Sequence, residues 1–343
     1  EIILSPYDSC RLMLINLSSF VNDPFGDSSK FDFKLFSSVA QKAQRLMDDM
    51  IDLEIEQIDK ILEKINKDPE PKAVKAIERD LWMNIKSMAI KGRRTGLGVT
   101  AVGDTIAYLG MRYGSEESVA MIEKIYKTLS VSAYKESCIL AQERGAFEVY
   151  NAQKESGHPF LERILGADDE LARLHRLHGR RNIALTTTAP AGSVSVLTQT
   201  TSGIEPAFLL NYKRRKKINS DTDPNAEVDF TDEVGDKWQE FYVYHHGFKR
   251  WMDTTGKVDP AYSPYWKSTS NDIDWVSKVK VQAAAQKWVC HAISNTTNIP
   301  ADSSIDTVKD VYMTGWRLGC KGVTIYRDCL LYTSDAADEE DSV

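Results

Sequence analysis

The stretch that most constrains the fold of this chain is Asn182–Pro206, NIALTTTAPAGSVSVLTQTTSGIEP. Ile183–Thr188 is an apolar, β-branched run, which predicts a short buried strand. The proline and glycine of Ala189–Gly192 break that strand and favour a tight turn. Ser193 is a typical N-cap, and Val194–Gln199 can form a helix. The stretch therefore predicts a strand, a turn and a helix start in direct succession.

A turn of this kind is a candidate phosphate site. The first backbone N–H groups of a helix have no intrahelical partner, and the helix dipole favours an anion beside them. The candidate ligands are the backbone groups of Pro190, Ala191, Gly192, Ser193 and Val194. The alternative is a plain connection between strand and helix with a serine cap, and the turn alone leaves both interpretations open.

Charge and cysteine usage exclude several classes of protein. The chain has 343 residues and a net charge of -7, which does not favour binding to nucleic acid or to a membrane surface. Its one basic run, Lys213–Lys217, is interpreted as a solvated rim. No apolar run is long enough to cross a bilayer. The cysteines are few, widely spaced and without a CxxC pair, which argues against zinc and predicts a reducing, cytoplasmic setting. They are Cys10, Cys138, Cys290, Cys320 and Cys329. Cys138, inside a predicted helix, is expected in the core, and Cys320, before a predicted strand, is expected to be structural.

The alternation of helices and short strands predicts an α/β chain, which is long enough for one large or two ordinary domains. Within it we expect a helical hairpin over 31–91 and an irregular insertion over 211–270. The glycine-rich run Lys91–Thr100 is interpreted as a loop whose small residues allow close helix packing. Residues 329–343 end the chain with five acidic residues and no basic one. Taken alone, this composition is typical of a disordered acidic tail.

Four motifs together resemble one enzyme family. The phosphate turn is followed by TSGIEP, Arg93–Val99 reads RRTGLGV, Cys320–Asp328 reads CKGVTIYRD, and the chain opens with EIILSPYDSC. This set resembles the large catalytic chain of ribonucleotide reductases, most closely the adenosylcobalamin-dependent class II form. The resemblance implies one main domain over residues 1–328, the second half of a ten-stranded α/β barrel with long flanking helices. On this match the chain begins just after the glycine of the family's finger-loop motif Asn-Pro-Cys-Gly-Glu. The resemblance stops abruptly after Asp328, so we interpret residues 329–343 as non-native read-through, with a genuine disordered acidic tail as the alternative.

The resemblance also implies a chemistry and its residues. The activity would be reduction of ribonucleoside diphosphates to 2′-deoxyribonucleoside diphosphates, with adenosylcobalamin as radical source. Glu1 would be the general base on the 3′-hydroxyl, and Cys10 one half of a redox-active cysteine pair that thioredoxin or a similar dithiol resets. The turn Pro190–Val194 would hold the substrate phosphates. A homodimer is a further expectation. Taken alone, Cys10 is more typical of a buried small hydrophobe.

Two alternatives remain at this stage. A class I large chain would need a separate radical-generating subunit and carries two consecutive tyrosines near the end of this region. Here Val323–Ile325 precedes a single tyrosine, Tyr326, which favours class II. The second alternative is a helical, phosphate-binding module without catalysis, which would keep the Asn182–Pro206 stretch but give Glu1 and Cys10 no shared role.

Overall fold

The computed structural model describes residues 2–218 and 227–327, so Glu1 and the 329–343 segment lie outside the described residues. The strands are β1 (Arg11–Asn16), β2 (Val21–Asn22), β3 (Lys30–Phe31), β4 (Thr95–Thr100), β5 (Asn211–Lys217), β6 (Phe230–Thr231), β7 (Lys237–Tyr244), β8 (Thr296–Ile299) and β9 (Thr324–Arg327). The helices are α1 (Phe33–Lys67), α2 (Lys72–Gly92), α3 (Val102–Tyr108), α4 (Glu116–Arg144), α5 (Ala152–Glu155), α6 (Pro159–Leu165), α7 (Asp169–His178), α8 (Gly192–Thr198), α9 (His246–Thr255), α10 (Trp275–Gln286) and α11 (Ile305–Arg317).

Five parallel segments, taken in sequence order, form the frame of the molecule. β1 pairs with β4 along its whole length. β4 is bridged to the extended stretch 183–188 through Leu97 and Thr186, and Thr188 is bridged in turn to Ile293. The chain from Ile293 runs on into β8, which pairs with β9. The predicted 183–188 strand is thus present as a buried extended segment held by backbone hydrogen bonds to β4, such as Thr187 N–H to the Leu97 carbonyl (2.9 Å).

Helices α1 and α4 pack against one face of this sheet. Gln44 of α1 donates to Thr95 Oγ1 (3.2 Å), and the Tyr126 hydroxyl of α4 lies 3.3 Å from Thr188 Oγ1. On the opposite face, which we call the inner face, Leu12 of β1 is 47% exposed. Helices on one side of a parallel sheet that is built strand by strand are the arrangement expected for half of an α/β barrel.

A buried ion cluster joins α1 to the start of β4. Asp48 is fully buried and accepts hydrogen bonds from Arg93 Nε (2.8 Å) and from Asn182 Nδ2 (3.0 Å). Arg144 and Arg181 also lie within salt-bridge distance of this carboxylate. A charge without solvent must be paired, because desolvation of a lone carboxylate costs several kcal/mol. The cluster therefore fixes the angle at which the long helix crosses the sheet.

Two expectations were wrong. The Lys91–Thr100 run is not a loop before a helix, because its second half is the fully buried strand β4. Residues 211–270 are not irregular where they are described, since β5, β7 and β6 form an antiparallel sheet that leads into α9. The predicted helices over 31–67 and 304–318 are present as α1 and α11. The division into domains itself stays a prediction.

The basic run lies on the exposed strand β5. Glu240 of β7 accepts hydrogen bonds from Lys213 Nζ and from Arg215 Nε, both at 3.0 Å. Lys217 pairs with Asp236 in the same sheet. These pairs within the sheet offset part of the positive charge of the run.

Candidate active site

Cys10 lies immediately before β1, with its side chain on the inner face. It is partly buried, and a Cβ atom built at Gly96 of β4 would lie 2.6 Å from its Sγ. Ion pairs flank it on both sides. Asp8 binds Arg94 Nε at 2.7 Å, and Arg11 Nε binds Glu54 at 2.6 Å. The thiol is thus held against the glycine of the neighbouring strand by a backbone that is fixed on either side of it.

The predicted phosphate turn is present, with one correction. α8 begins at Gly192, and its N-cap is Ala191, which makes no side-chain capping bond. Ser193 is therefore not the cap but the second residue of the helix, and its side chain is exposed. The first intrahelical bond runs from Ser195 N–H to the Ala191 carbonyl (2.6 Å).

The first turn of α8 opens towards solvent. The N–H groups of Gly192, Ser193 and Val194 precede the first intrahelical bond, and all three residues are exposed. No heavy atom of the described residues lies within 4 Å of a Cβ built at Gly192. The arrangement can present backbone N–H donors to an anion with room above them.

The loop after α8 is held on the carboxyl end of β4. Thr100 Oγ1 donates to the Thr201 carbonyl (3.0 Å) and accepts from Gly203 N–H (3.2 Å). Ala191 N–H in turn donates to Ser202 Oγ (3.1 Å). Glu205 accepts from Thr296 N–H (3.0 Å), which ties the loop to β8. The turn and the SGIEP segment therefore form one hydrogen-bonded unit, which is bound to Thr100 at the carboxyl end of β4 and to Thr296 of β8.

Asp104 of α3 anchors this unit and was not predicted from the sequence. It is fully buried, and its carboxylate accepts from Thr201 N–H (2.7 Å) and from the Tyr265 hydroxyl (2.7 Å). His245 Nε2 lies at 2.7 Å from the same group. Burial and the Asp104 charge raise the pKa of Tyr265 well above its ordinary value. An aspartate inside the otherwise apolar run of α3 was the available signal.

The start of the fourth parallel segment holds a second polar group that was not predicted. His291 is 4% exposed, and among the described residues neither ring nitrogen has a hydrogen-bond partner. Burial, with the nearby positive charges of Arg94 and Lys321, lowers its pKa to about 3. Next to it, Cys290 Sγ accepts from the N–H groups of Leu185 and Thr186 at 3.2 and 3.1 Å.

The other cysteines are less suited to redox chemistry. Cys138 is completely buried in α4, and burial raises its pKa to about 12. Burial likewise raises the pKa of Cys320 to about 11. Since the thiolate is the reactive form, both side chains are poor nucleophiles near neutral pH. This agrees with the structural roles expected for them.

The predicted site residues do not form a single contact cluster. Cys10 precedes the amino end of β1, whereas Pro190–Val194 follows the carboxyl end of the third segment. In a parallel sheet the amino ends and the carboxyl ends of the strands lie on opposite sides of the molecule. The two positions are therefore far apart along the strands, and no hydrogen bond joins them among the described residues. Glu1 lies outside the described residues. Between the two positions, the inner face carries Gly96 and Gly98 of β4, with Leu12 and Leu14 of β1 packed beside these glycines.

Two cavities of the described residues lie away from the inner face. Their volumes are about 260 Å³ at the starts of α4 and α10 and about 200 Å³ between α1 and α2. Both are below the size usual for sites that take drug-sized ligands. Within residues 2–218 and 227–327, no group of three or more His, Cys, Asp or Glu side chains has a metal-binding arrangement. No helix there is long and apolar enough to cross a membrane.

Comparison with known proteins identifies the class to which this fold and site belong. The sequence matches the family described as "Ribonucleotide reductase, barrel domain" over residues 1–326. The chain therefore belongs to the barrel-domain family of ribonucleotide reductases. The expected α/β barrel fold is confirmed by this match together with the parallel frame of the structure.

The curated relatives narrow the class. The chain is 28% identical to the "Vitamin B12-dependent ribonucleoside-diphosphate reductase" of Mycobacterium tuberculosis H37Rv, over 95% of this chain and 39% of the relative. The protein of the same name from Thermoplasma acidophilum is also 28% identical, over 95% and 36%. The "Vitamin B12-dependent ribonucleotide reductase" of Streptomyces clavuligerus is 23% identical, over 93% and 34%. The chain thus spans about two fifths of the length of these relatives, or slightly less.

Proposed function

We propose that this chain is part of the catalytic barrel of an adenosylcobalamin-dependent reductase that converts ribonucleoside diphosphates to 2′-deoxyribonucleoside diphosphates for DNA synthesis. The observation that carries the proposal is the position of Cys10 on the inner face at the start of the first strand, in a chain of the reductase barrel family. The names of the relatives support both the cofactor and the diphosphate form of the substrate. Dependence on cobalamin favours class II over class I.

In the proposed reaction, Cys10 supplies half of the reducing equivalents. Replacement of the 2′-hydroxyl by hydrogen takes up two electrons and releases one water. Two thiols, Cys10 and a second cysteine outside this chain, lose two electrons and two protons and become a disulfide, so the equation balances. Glu1 is proposed as the base that takes the 3′-hydroxyl proton while the 2′-oxygen leaves as water.

The turn Pro190–Val194 is proposed to hold the substrate phosphates. Its exposed N–H groups provide donors that need no rearrangement on binding, and the bond from Ala191 N–H to Ser202 holds the turn against the SGIEP loop. The ribose would then extend from this end of the strands over the inner face towards Cys10.

The remaining features of the proposal concern the intact protein. A dithiol protein such as thioredoxin would reduce the Cys10 disulfide after each turnover by thiol exchange. The intact protein is proposed to be cytoplasmic, where such a reductant is available, and to form a homodimer.

The test uses the intact reductase that contains this chain, supplied with CDP, adenosylcobalamin and a dithiol. We expect steady formation of dCDP that requires both additions. Cys10→Ser should limit product to at most one equivalent per active site, because the disulfide cannot form and be reset. Cys320→Ser is the matched control and should keep steady turnover.

Three results would contradict the proposal. Turnover without cobalamin would move the chain to class I. Steady turnover by Cys10→Ser would remove this residue from the redox pair. Absence of activity in the intact wild-type protein under both regimes would leave only a phosphate-binding scaffold.

A further inference from the structure

We infer that Gly96 of β4 is a positioning residue for the Cys10 thiol. The inference rests on the proposed redox role of Cys10. It assigns a function to Gly96 that neither phosphate binding nor helix packing explains.

The geometry at Gly96 leaves no room for a side chain. A Cβ there would lie 2.6 Å from Cys10 Sγ and 2.8 Å from Leu12 Cδ2. Contacts of Cβ below 3.0 Å are essentially never observed, so one neighbour must move. The backbone carbonyl of Arg11, at 3.3 Å, closes the third side. Because Gly96 has no side chain, the Cys10 sulfur can pack directly against its backbone.

The neighbouring glycine provides a natural comparison. Gly98 lies two residues further along β4 and therefore on the same face. A Cβ at Gly98 would approach Leu14 Cδ2 at 2.8 Å and the Thr187 carbonyl at 3.0 Å, and Cys10 is not among its three nearest contacts. The two glycines thus have similar steric demands, but only Gly96 contacts the thiol.

The rest of the backbone around Cys10 cannot easily absorb a displacement. Asp8, two residues before it, is held by Arg94 at 2.7 Å, and Arg11, one residue after it, is held by Glu54 at 2.6 Å. The side chains of Arg94 and Arg11 are only 13% and 10% exposed, so neither pair is a loose surface contact. A methyl group at position 96 would therefore displace the Cys10 side chain away from β4, and its sulfur would become more exposed.

The first test measures the reactivity of the thiol in this chain. Iodoacetamide alkylation of Cys10 is followed by peptide mass spectrometry as a function of pH. Gly96→Ala should increase the alkylation rate of Cys10 at least threefold, because the sulfur becomes more exposed. Gly98→Ala should leave that rate within a factor of about 1.5 although it crowds the same strand. Equal effects of both variants, or no effect of Gly96→Ala, would overturn the inference.

A second variant protects the test against misfolding. Leu12→Ala combined with Gly96→Ala removes the clash with the leucine and keeps the methyl group against the sulfur. If Gly96→Ala alone does not fold, the double variant should still show faster alkylation of Cys10 than Leu12→Ala. Equal rates in those two proteins would overturn the inference.

The second test separates positioning from the proposed function. In the intact reductase, Gly96→Ala should lower kcat for CDP reduction at least tenfold and change KM less than twofold, since the substrate phosphates bind elsewhere. Faster alkylation with unchanged kcat would overturn a positioning role in catalysis. An inactive wild-type enzyme would instead refute the proposed function, and the alkylation result would then describe only the packing of Cys10.

Discussion

At the scale of single residues, the buried imidazole of His291 combines near-complete burial with two ring nitrogens that have no partner among the described residues. Its lowered pKa, about 3, means that the native state holds the neutral form. The unfolded chain takes up a proton near the ordinary pKa of about 6.5. The unfolded chain therefore gains no proton at this position above pH 6.5. As the pH falls from 6.5 towards 3, protonation of His291 in the unfolded chain lowers the free energy of unfolding.

This predicts acid sensitivity that depends on one side chain. Between pH 7.5 and pH 5.0, protonation of His291 in the unfolded chain should lower the free energy of unfolding by about 2 kcal/mol. This follows from about 1.4 kcal/mol for each pH unit below 6.5. His291→Phe should lose correspondingly less stability over that interval, as measured by urea unfolding at both pH values. His158→Gln, at an exposed position, is the control and should follow the wild type. Parallel pH dependence of wild type and His291→Phe would refute the assignment.

Some residue roles could be derived from the sequence and others could not. Cys138 was expected in the core and is fully buried there. Serine is a favoured N-cap residue, but the helix begins two residues earlier than the Ser193 cap predicts, so that Ala191 takes the cap position. Caps depend on backbone dihedral angles, which tertiary contacts such as the Ala191–Ser202 bond adjust by a residue or two. Propensity alone does not fix such a boundary.

At the scale of elements, the first turn of α8 offers a sharp test of phosphate binding by backbone groups. Ser193→Pro removes one N–H donor while proline remains compatible with a first helical turn. We expect KM for CDP of the intact reductase to rise about tenfold or more, because one charge-assisted hydrogen bond is lost. Ser193→Ala keeps the N–H and removes only the hydroxyl.

The alanine variant should therefore raise KM less than threefold. A large effect of Ser193→Ala would assign binding to the hydroxyl instead of the backbone. Equal KM values for the proline variant and the wild type would show that the phosphates bind elsewhere. Circular dichroism and thermal unfolding of both variants establish that the fold is retained.

The elements that could be predicted from the sequence are those in which apolar residues recur at a regular helical spacing. α1 carries apolar residues at three- and four-residue steps over 35 residues, and this pattern is decisive on its own. β4 was missed because a strand buried on both faces shows no alternation, and two of its six residues are glycines, which disfavour strands. Its stability comes from the strands on either side, which a local pattern does not contain.

At the scale of the whole molecule, Asp104 joins three separate parts of the chain. It contacts the α8–SGIEP unit through Thr201 and the 211–270 region through His245 and Tyr265. Asp104→Asn should destabilise the protein by about 1–3 kcal/mol, because an amide NH₂ would face donors that need an acceptor. Hydrogen exchange should rise together in residues 200–206 and at the start of α9.

The control for this change is Asp306→Asn, at an exposed position in the first turn of α11. It should alter the free energy of unfolding by less than about 1 kcal/mol. If exchange in Asp104→Asn rises in only one of the two regions, Asp104 does not couple them.

The overall architecture was accessible from motifs that the chain shares with a family, and less so from local pattern. TSGIEP lies at the carboxyl ends of the parallel strands, and Thr324–Arg327 of the CKGVTIYRD motif form the last strand of the frame. The antiparallel sheet of 211–270 was missed because its first strand is a run of charged residues, exposed along its whole length. Cross-strand ion pairs to Glu240 and Asp236 support it, and such long-range pairs cannot be read from composition.

The order of the five parallel segments has a consequence for biosynthesis. In the part of the chain that the structure describes, each segment pairs with the segments that come before and after it in the sequence. A nascent chain that leaves the ribosome from its amino end can therefore pair each new segment with one already made. No strand pair that has already formed must separate to admit a later strand. This part of the barrel can therefore be assembled during translation by addition of one strand at a time at one edge of the sheet.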